Sequence, residues 1–497
     1  MSQENANEAV EYIDAPSESF LTRVPSWLVS MVVHTVLLLV MALTMVDTKT
    51  HKAVSDLVST PTDETVIEDP LEEEDFEMEE IDLDVTDVEV TEVTQDVTTA
   101  EVSVESNDEP APAMVQVDPI GNIKAQASSA NTSITASYSG GGMGLRKNAT
   151  ATALRSGGST ESEKAVALGL QWIARHQYPD GSWNYNHTMA PNCKGKCSGP
   201  GSLMKATNAA TAMGILPFLG CGQTHKEGKY KQQVYAGLNY LCMNIKPDKK
   251  IGGGSLRQNE GTMYGHGLAA ICLTEAYAMT KDKKLMMPAQ LTVNFIQGAQ
   301  DPAGGGWRYS PRQAGDTSVV GWQMMALKSG YMGYLKVSPQ VAQNAMRFLD
   351  SVQQDSGSYY GYVTPGKAPA CTAIGLLCRM YYGWKHDHPA LQRGVEYLSK
   401  LGPTSDPYYN YYATQVMRHF GGEHWRNWNA RMRDKLVQSQ SRQQDSHELG
   451  SWPSGGGHGA QGGRLYSTAM SVMTLEVYYR HMPIYSSQGS EGGLPLE

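Results

Sequence analysis

The stretch Leu170-Gln171-Trp172-Ile173-Ala174-Arg175-His176-Gln177, closed by Asp180-Gly181-Ser182-Trp183, decides how this chain is read. Ala165, Leu168, Trp172 and Ile173 recur at helical spacing and mark one apolar stripe. A Gly-aromatic loop follows, and then Asn208 to Leu219, apolar nearly all round. The pattern recurs, giving six copies between about residues 165 and 482.

Later stripes are Tyr230, Val234, Leu238 and Leu241; then Leu291, Phe295 and Ile296; then Val341, Ala345, Phe348 and Leu349. Leu391, Val395 and Leu398 form the fifth, and Trp428, Met432 and Leu436 the sixth. Between them run Tyr264 to Met279, Val319 to Leu327, Thr372 to Tyr382, Tyr412 to Phe420 and Ser467 to Tyr479, all apolar on most sides. A striped helix buries one face, and a helix without a polar face is covered on all sides. Strict alternation predicts an all-α protein, an α6/α6 toroid of six helix hairpins with an inner and an outer ring. The matching positions Trp172, Leu238, Phe295, Phe348, Tyr397 and Leu436 are 66, 57, 53, 49 and 39 residues apart. That drift suits a closed ring with variable outer loops better than an open solenoid.

Outward from the repeats, Trp27 to Val46 is 20 residues without Asp, Glu, Lys or Arg. A helix of that length spans the ~30 Å hydrocarbon core of a bilayer. The expected organisation is a tail over 1–24, a single transmembrane helix over 25–47, and a disordered linker over 48–160, acidic and then Gly/Ser-rich. The toroid follows over 161–484, with a short tail over 485–497. Residues 53–123 carry 23 acids and no Lys or Arg, while 124–497 carry 22 acids and 37 bases. A basic domain thus follows an acidic tether, and it attracts anions such as lipid headgroups or acidic glycans. Basic and aromatic residues do not alternate in a nucleic-acid motif, so no nucleic-acid partner is expected.

Within the apolar segment, Ser30 and His34 share a helical face. An ionisable side chain there marks contact with a membrane partner. The Ser-x-x-x-His arrangement resembles the anchors of TonB-type energy-transducing proteins. That resemblance implies docking on a proton-driven motor, with the bulk of the chain outside the cytoplasm; the segment after the anchor here is acidic instead of Pro-Lys-rich. Arg23 before the segment and Lys49 and Lys52 after it favour the opposite orientation. The toroid is expected on the extracytoplasmic side of the cytoplasmic membrane.

Cys221, Cys242, Cys272, Cys371 and Cys378 lie in apolar runs and read as core thiols. Cys193 and Cys197 sit in a loop, where a local disulfide is expected. A metal half-site with His187 lacks a second Cys/His pair in the sequence, so no metal or cofactor is expected.

Trp172-Ile173-x3-Gln177 with Gly181-x-Trp183, and Phe295-Ile296-x3-Gln300 with Gly305-x-Trp307, resemble the QW repeats of squalene and oxidosqualene cyclases. Gly450-Ser451-Trp452 keeps the end of the motif. The alternating helix pairs resemble the toroid of those cyclases and of protein prenyltransferase β subunits. The layout further resembles membrane-anchored bacterial proteins with prenyltransferase/squalene-oxidase repeats, through Leu219-Gly-Cys-Gly222, Met263-Tyr-Gly-His-Gly267, Gly305-Gly-Trp-Arg-Tyr309 and Asp316-Thr-Ser-Val-Val-Gly-Trp322. The resemblance implies a hydrophobic or isoprenoid ligand. The catalytic motifs depart from it. The cyclase Asp cluster matches Gln313-Ala314-Gly315-Asp316-Thr317, where only Asp316 survives. The prenyltransferase zinc motif matches Asp316-Thr317-Ser318, with Ser for Cys, and no His stands near Tyr466-Ser467-Thr468. Gly220-Cys221-Gly222-Gln223 lacks the spacing of a thioester motif.

Polar residues near the starts of the inner helices then mark the mouth of the expected cavity. His266, Glu275 and Asp316 are the candidate proton donors. Tyr264, Trp307, Arg308, Tyr309, Trp322, Tyr362, Arg464 and Tyr466 are the candidate ligand-binding set. Glu260 and Asp316 would serve a glycan-cleaving site only at ~5–10 Å separation. A non-catalytic envelope scaffold, or a glycan- or protein-binding toroid in a membrane complex, is the alternative reading.

Overall fold

The computed structural model describes Thr35, Arg146 and residues 148–485 apart from 456 and 457. The described part is helical. After a short α1 (Ala149–Arg155) come α2 (Thr160–Arg175), α3 (Thr207–Gly220), α4 (Lys231–Met243), α5 (Thr262–Thr280) and α6 (Lys283–Gly298). They are followed by α7 (Thr317–Met332), α8 (Pro339–Val352), α9 (Pro369–Tyr381), α10 (Pro389–Leu401), α11 (Pro407–Phe420), α12 (Gly422–Ser439), α13 (His458–Leu475) and α14 (Val477–Arg480).

The odd-numbered helices from α3 to α13 form a cycle. Each packs on the next, and α13 returns to α3. The even-numbered helices α2 to α12 lie against them on the outside. Burial follows the sequence pattern. Helix α3 buries every residue from Asn208 to Gly220. Helix α10 buries only Ala390, Leu391, Gly394, Val395 and Leu398, one stripe. Helix starts are written locally. Prolines open α8, α9, α10 and α11, where a missing N–H costs nothing. Asp316 caps α7 and Asp406 caps α11.

The Trp, Gln and Gly of the repeat each have one job, performed three times. The indole N–H of Trp183, Trp307 and Trp452 donates to the carbonyl of Ile173, Ile296 and Leu436, at 2.9, 2.8 and 2.9 Å. Each bond satisfies an orphan carbonyl near the end of an outer helix. The amides of Gln177, Gln300 and Gln440 reach the next outer helix: Gln233 O at 2.9 Å, Val341 O at 2.9 Å and Ala165 O at 2.8 Å. Gly181, Gly305 and Gly450 have φ of +89°, +83° and +90° and press against that same neighbour. A Cβ on them would stand 2.4, 2.1 and 2.3 Å from the carbonyls of Ala236, Asn344 and Leu168. Gln440 and Gly450 both meet α2, so the repeat itself ties the last outer helix to the first.

Three departures from the sequence reading are local. The expected linker over 48–160 ends earlier. Helix α1 packs on α14, and Arg146 is buried. The sixth inner segment, Ser467 to Tyr479, is interrupted at Glu476, where α13 gives way to α14; ahead of it Gly463, at φ 63° and ψ −159°, breaks α13. The second and fourth loops carry two-residue antiparallel ladders, β1 (Lys246–Pro247) with β2 (Gly254–Ser255) and β3 (Gln353–Gln354) with β4 (Tyr359–Tyr360). Among the described residues no helix is long and apolar enough to cross a membrane. The expected anchor, with Ser30 and His34, lies outside the described residues except for Thr35.

Candidate functional site

The starts of α5, α7 and α11, with the loops ahead of α7 and α9, bring a group of tyrosines together. The Tyr264 hydroxyl shares a hydrogen bond with Ser318 Oγ. Ser318 Oγ donates to Asp316 Oδ1 at 2.7 Å, and the Val319 N–H donates to the same oxygen at 2.9 Å. Tyr408 donates to the Ser318 carbonyl at 2.8 Å. Tyr309 and Tyr362 share a hydroxyl–hydroxyl bond of 2.7 Å. The Arg308 guanidinium lies over both of these rings, 5.5 and 5.8 Å from their centroids. Tyr466 lies among Asp406, Tyr185 and Tyr264.

Burial pushes the phenols of Tyr264, Tyr408 and Tyr466 well up, yet all three retain partial exposure, as do Tyr362 and Ser318. Side chains that are deep and still touch solvent are walls of a recess. Beside Tyr408, 6.0 Å away between ring centroids, Trp322 is buried, stacked on Tyr411 and edge-on to Tyr412 at 5.7 and 5.5 Å. Asp316 is fully buried behind the tyrosines. Burial raises its carboxyl, against Ser318 and the Val319 amide, which pull it down. Its Oδ2 makes no hydrogen bond and stands 3.7 Å from Arg308 Nε.

Of the residues singled out in the sequence, Tyr264, Arg308, Tyr309, Trp322, Tyr362, Tyr466 and Asp316 are therefore neighbours. Tyr408 and Ser318 belong with them and carry no signal in the sequence beyond following helix-capping aspartates. Glu260 accepts from the Lys205 N–H at 2.7 Å and braces the loop before α3.

The other candidates have different work. Trp307 is one of the three repeat tryptophans described above. His266 is fully buried and faces the outer layer. Its Nδ1 accepts from Leu256 N–H at 3.1 Å, and its Nε2 bonds the Thr292 carbonyl at 3.1 Å. Thr211, Thr372 and Thr468 perform the same acceptance from the loop amides of Trp183, Tyr360 and Trp452. His266 is that threonine's substitute in the second repeat. Burial lowers its imidazole to about 4, so it is neutral near neutral pH and holds no proton for a ligand. Glu275 lies near the C-terminal ends of the inner helices. It pairs with Arg146 at 2.9 Å and Arg480 at 3.1 Å. Burial pushes its carboxyl up, but the two guanidiniums outweigh burial and hold it below the usual range. An ionised, doubly paired carboxylate is a structural plug, not a proton donor. Arg464 bonds Ser198 and Ser451 and pairs with Glu448 at 2.9 Å.

Beside Arg464, Cys193 and Cys197 are free thiols, in place of the expected disulfide. With His176 and His447 they form a group whose ligating atoms all lie within 4.8 Å of one another. The second pair that the sequence reading lacked is His176, 21 residues before Cys197, and His447, 250 residues after it. His187 packs on the edge of this group, its ring centroid 5.4 Å from that of His176.

No family model matches the chain, and no curated protein matches it. Solved structures resemble it at low identity. An α-1,6-mannanase from Salegentibacter sp. is 10% identical over 64% of this chain and 98% of its own, with a TM-score of 0.46. A variant of the type II terpene cyclase MstE from Scytonema, in complex with geranylgeranyl dihydroxybenzoate, is 12% identical over 64% and 97%, at 0.44. A cellobiose 2-epimerase from Bacillus thermoamylovorans is 12% identical over 64% and 98%, also at 0.44. All three are α/α-toroid proteins. Likeness of this degree carries no activity over to this chain.

Proposed function

We propose that this chain is a membrane-anchored α6/α6 toroid whose tyrosine-lined recess binds a hydroxyl-rich ligand, a saccharide, without cleaving it. The observation that carries the reading is the cluster of hydroxyl-bearing residues that are not fully buried, Tyr264, Tyr309, Tyr362 and Ser318. Aromatic faces with polar tips suit a ligand that stacks and hydrogen-bonds at once. The buried carboxylate beside these hydroxyls, Asp316, positions Ser318 and the Arg308 side chain. Hydrolysis would require two carboxylates facing one bond, and Glu260 is engaged with the Lys205 amide. The excess of bases over acids in residues 124–497 favours an anionic saccharide.

The isoprenoid reading, and with it a squalene cyclase-like activity, draws on the aromatic column of Trp322, Tyr408, Tyr411 and Tyr412. Those rings pack against one another. A cyclase acid needs neighbouring carboxylates that keep one protonated; the groups at Asp316 are Ser318, the Val319 amide, Tyr362 and Arg308. Anchoring by residues 27–46, with Ser30 and His34 toward a membrane partner, completes the proposal. The extracytoplasmic placement rests on family likeness, since free thiols at Cys193 and Cys197 give no support for an oxidising compartment.

Calorimetric titration of the full chain in detergent with neutral and anionic oligosaccharides tests the proposal. Binding that weakens about tenfold in the Y309F/Y362F double variant supports it, two hydroxyl bonds being worth about 0.5–1.5 kcal/mol each. Absence of saccharide binding, together with an isoprenoid recovered by solvent extraction and mass spectrometry, would overturn it.

A further inference from the structure

We infer that His176, Cys193, Cys197 and His447 bind one zinc ion, which clasps the first repeat of the ring to the last. The site is separate from the tyrosine recess, and its metal is not a reactant.

The four ligands come from three segments. His176 is the C-cap of α2. Cys193 and Cys197 lie on the loop before α3. His447 lies on the loop between α12 and α13. Cys197 Sγ is 3.5 Å from His176 Nε2 and 3.1 Å from His447 Nδ1. A tetrahedral zinc with the usual Zn–S and Zn–N bonds separates S from N by about 3.5 Å. The arrangement is thus contracted to the size of the cage that one ion would fill.

The ligands are aimed. His176 Nδ1 bonds the Trp172 carbonyl at 2.7 Å, which places the proton on Nδ1 and leaves the Nε2 lone pair facing Cys197. A backbone carbonyl in that role is the usual outer partner of a metal-bound imidazole. The His447 ring meets the backbone of Asn192 in the same manner. The cysteine loop is a tight knuckle. Cys193 and Lys194 both donate to the Ala190 carbonyl, at 2.9 and 3.1 Å, and Lys196 donates to Cys193 O at 3.0 Å. Lys194 and Gly195 take φ of +48° and +78° to make the turn. The knuckle is held from behind, since Glu448 accepts from Ser198 N–H at 2.6 Å and Arg464 bonds Ser198 O at 2.9 Å.

Three of the four residues are buried. Two thiols and two imidazoles converging in the interior without a carboxylate among them have little reason to meet as hydrogen-bonding groups. Two thiolates and two neutral imidazoles satisfy one divalent ion, and four protein ligands make a closed, structural site. The soft sulfur pair selects zinc over magnesium or calcium. The site differs from the Asp-x-Cys and distant His pattern sought at Asp316, and it shares no residue with it.

The test is metal analysis of the full chain, purified in detergent without chelator from zinc-supplemented cells. We expect about one zinc per chain. The C193S/C197S double variant is expected to lose at least nine-tenths of it, with the single variant H447A as a second reading should the double variant fail to fold. Cobalt exchanged into the unmodified protein should give the intense visible bands of a tetrahedral ion and a thiolate-to-cobalt charge-transfer band. Zinc well below one equivalent before and after reconstitution under reducing conditions would overturn the inference. So would a Cys193–Cys197 disulfide in peptide mass mapping, or a cobalt spectrum of octahedral oxygen ligation.

Discussion

Gln440 Nε2 donates to the backbone carbonyl of Ala165 at 2.8 Å, joining residues 275 positions apart. The same amide donates to Gly450 O at 2.9 Å. Gln440 stands on the last outer helix and Ala165 on the first, so one buried side chain links the two ends of the ring. Gln440→Ala removes both bonds, taking the side-chain donor from Gly450 O while Ala165 O keeps its bond within α2. We expect a loss of about 2–3 kcal/mol in urea unfolding. Gln177→Ala, at a half-buried position, should cost about half as much.

Gly450 tests the close approach that accompanies this bond. Gly450→Ala combines a φ of +90° with a Cβ 2.3 Å from Leu168 O. Backbone must move, and a loss above about 4 kcal/mol is expected. Gly421 has a φ of +77° and nothing within 4 Å of a Cβ. Gly421→Ala should therefore cost only the strain of a glycine-only backbone conformation, φ +77° with ψ −157°, about 1–3 kcal/mol. Equal losses at the two positions, read by denaturant midpoints, would show that contact with α2 is unimportant.

Glu275 neutralises two buried guanidiniums. Glu275→Gln leaves Arg146 and Arg480 facing each other with Glu476 as the remaining acid. A loss of about 3–5 kcal/mol is expected, the usual cost of an uncompensated buried charge. Circular dichroism during thermal unfolding would register it. Saccharide binding at the recess should persist in whatever fraction stays folded, because Glu275 lies at the other helix ends.

Glu163 gives a pH signature. Burial pushes its carboxyl up to about 7, and it faces Cys221, Glu476, Tyr478 and Tyr479. A folded-state value above the unfolded one means that folding favours the protonated acid. The stabilisation is complete below the unfolded value near 4.5 and is lost as pH rises through 7. Glu163→Gln removes the titration. Its melting temperature should match the parent at pH 5 and exceed it by roughly 2–4 °C at pH 8. A gap that is the same at both values would contradict the assignment.

Much of the helical layering was legible in the residues. The stripe from Ala165 to Ile173 and the all-round apolar run from Asn208 to Leu219 each state how many faces a helix buries. Residues three and four apart share a face whatever the rest of the chain does. Tyr264, Tyr309, Tyr362 and Tyr466 could be singled out for a related reason, since they flank helix starts that the same periodicity locates; Tyr408 could not. His266 and Glu275 misled because a polar residue in an apolar helix announces burial but not its partner. The partners of His266 are backbone groups of Leu256 and Thr292, and those of Glu275 include Arg146, which lies in what reads as linker.

By itself, then, the sequence determined the alternation of one-faced and fully covered helices and the Trp, Gln and Gly that fasten three of the turns between them. Tertiary structure alone decided that His176 and Cys197 meet His447, and that an expected cysteine pair is half of a four-residue cage. The physical reason is range. Helix faces follow from neighbours within one turn, whereas the cage exists only because α13 packs back on α3 and brings positions 250 residues apart within reach of a single ion.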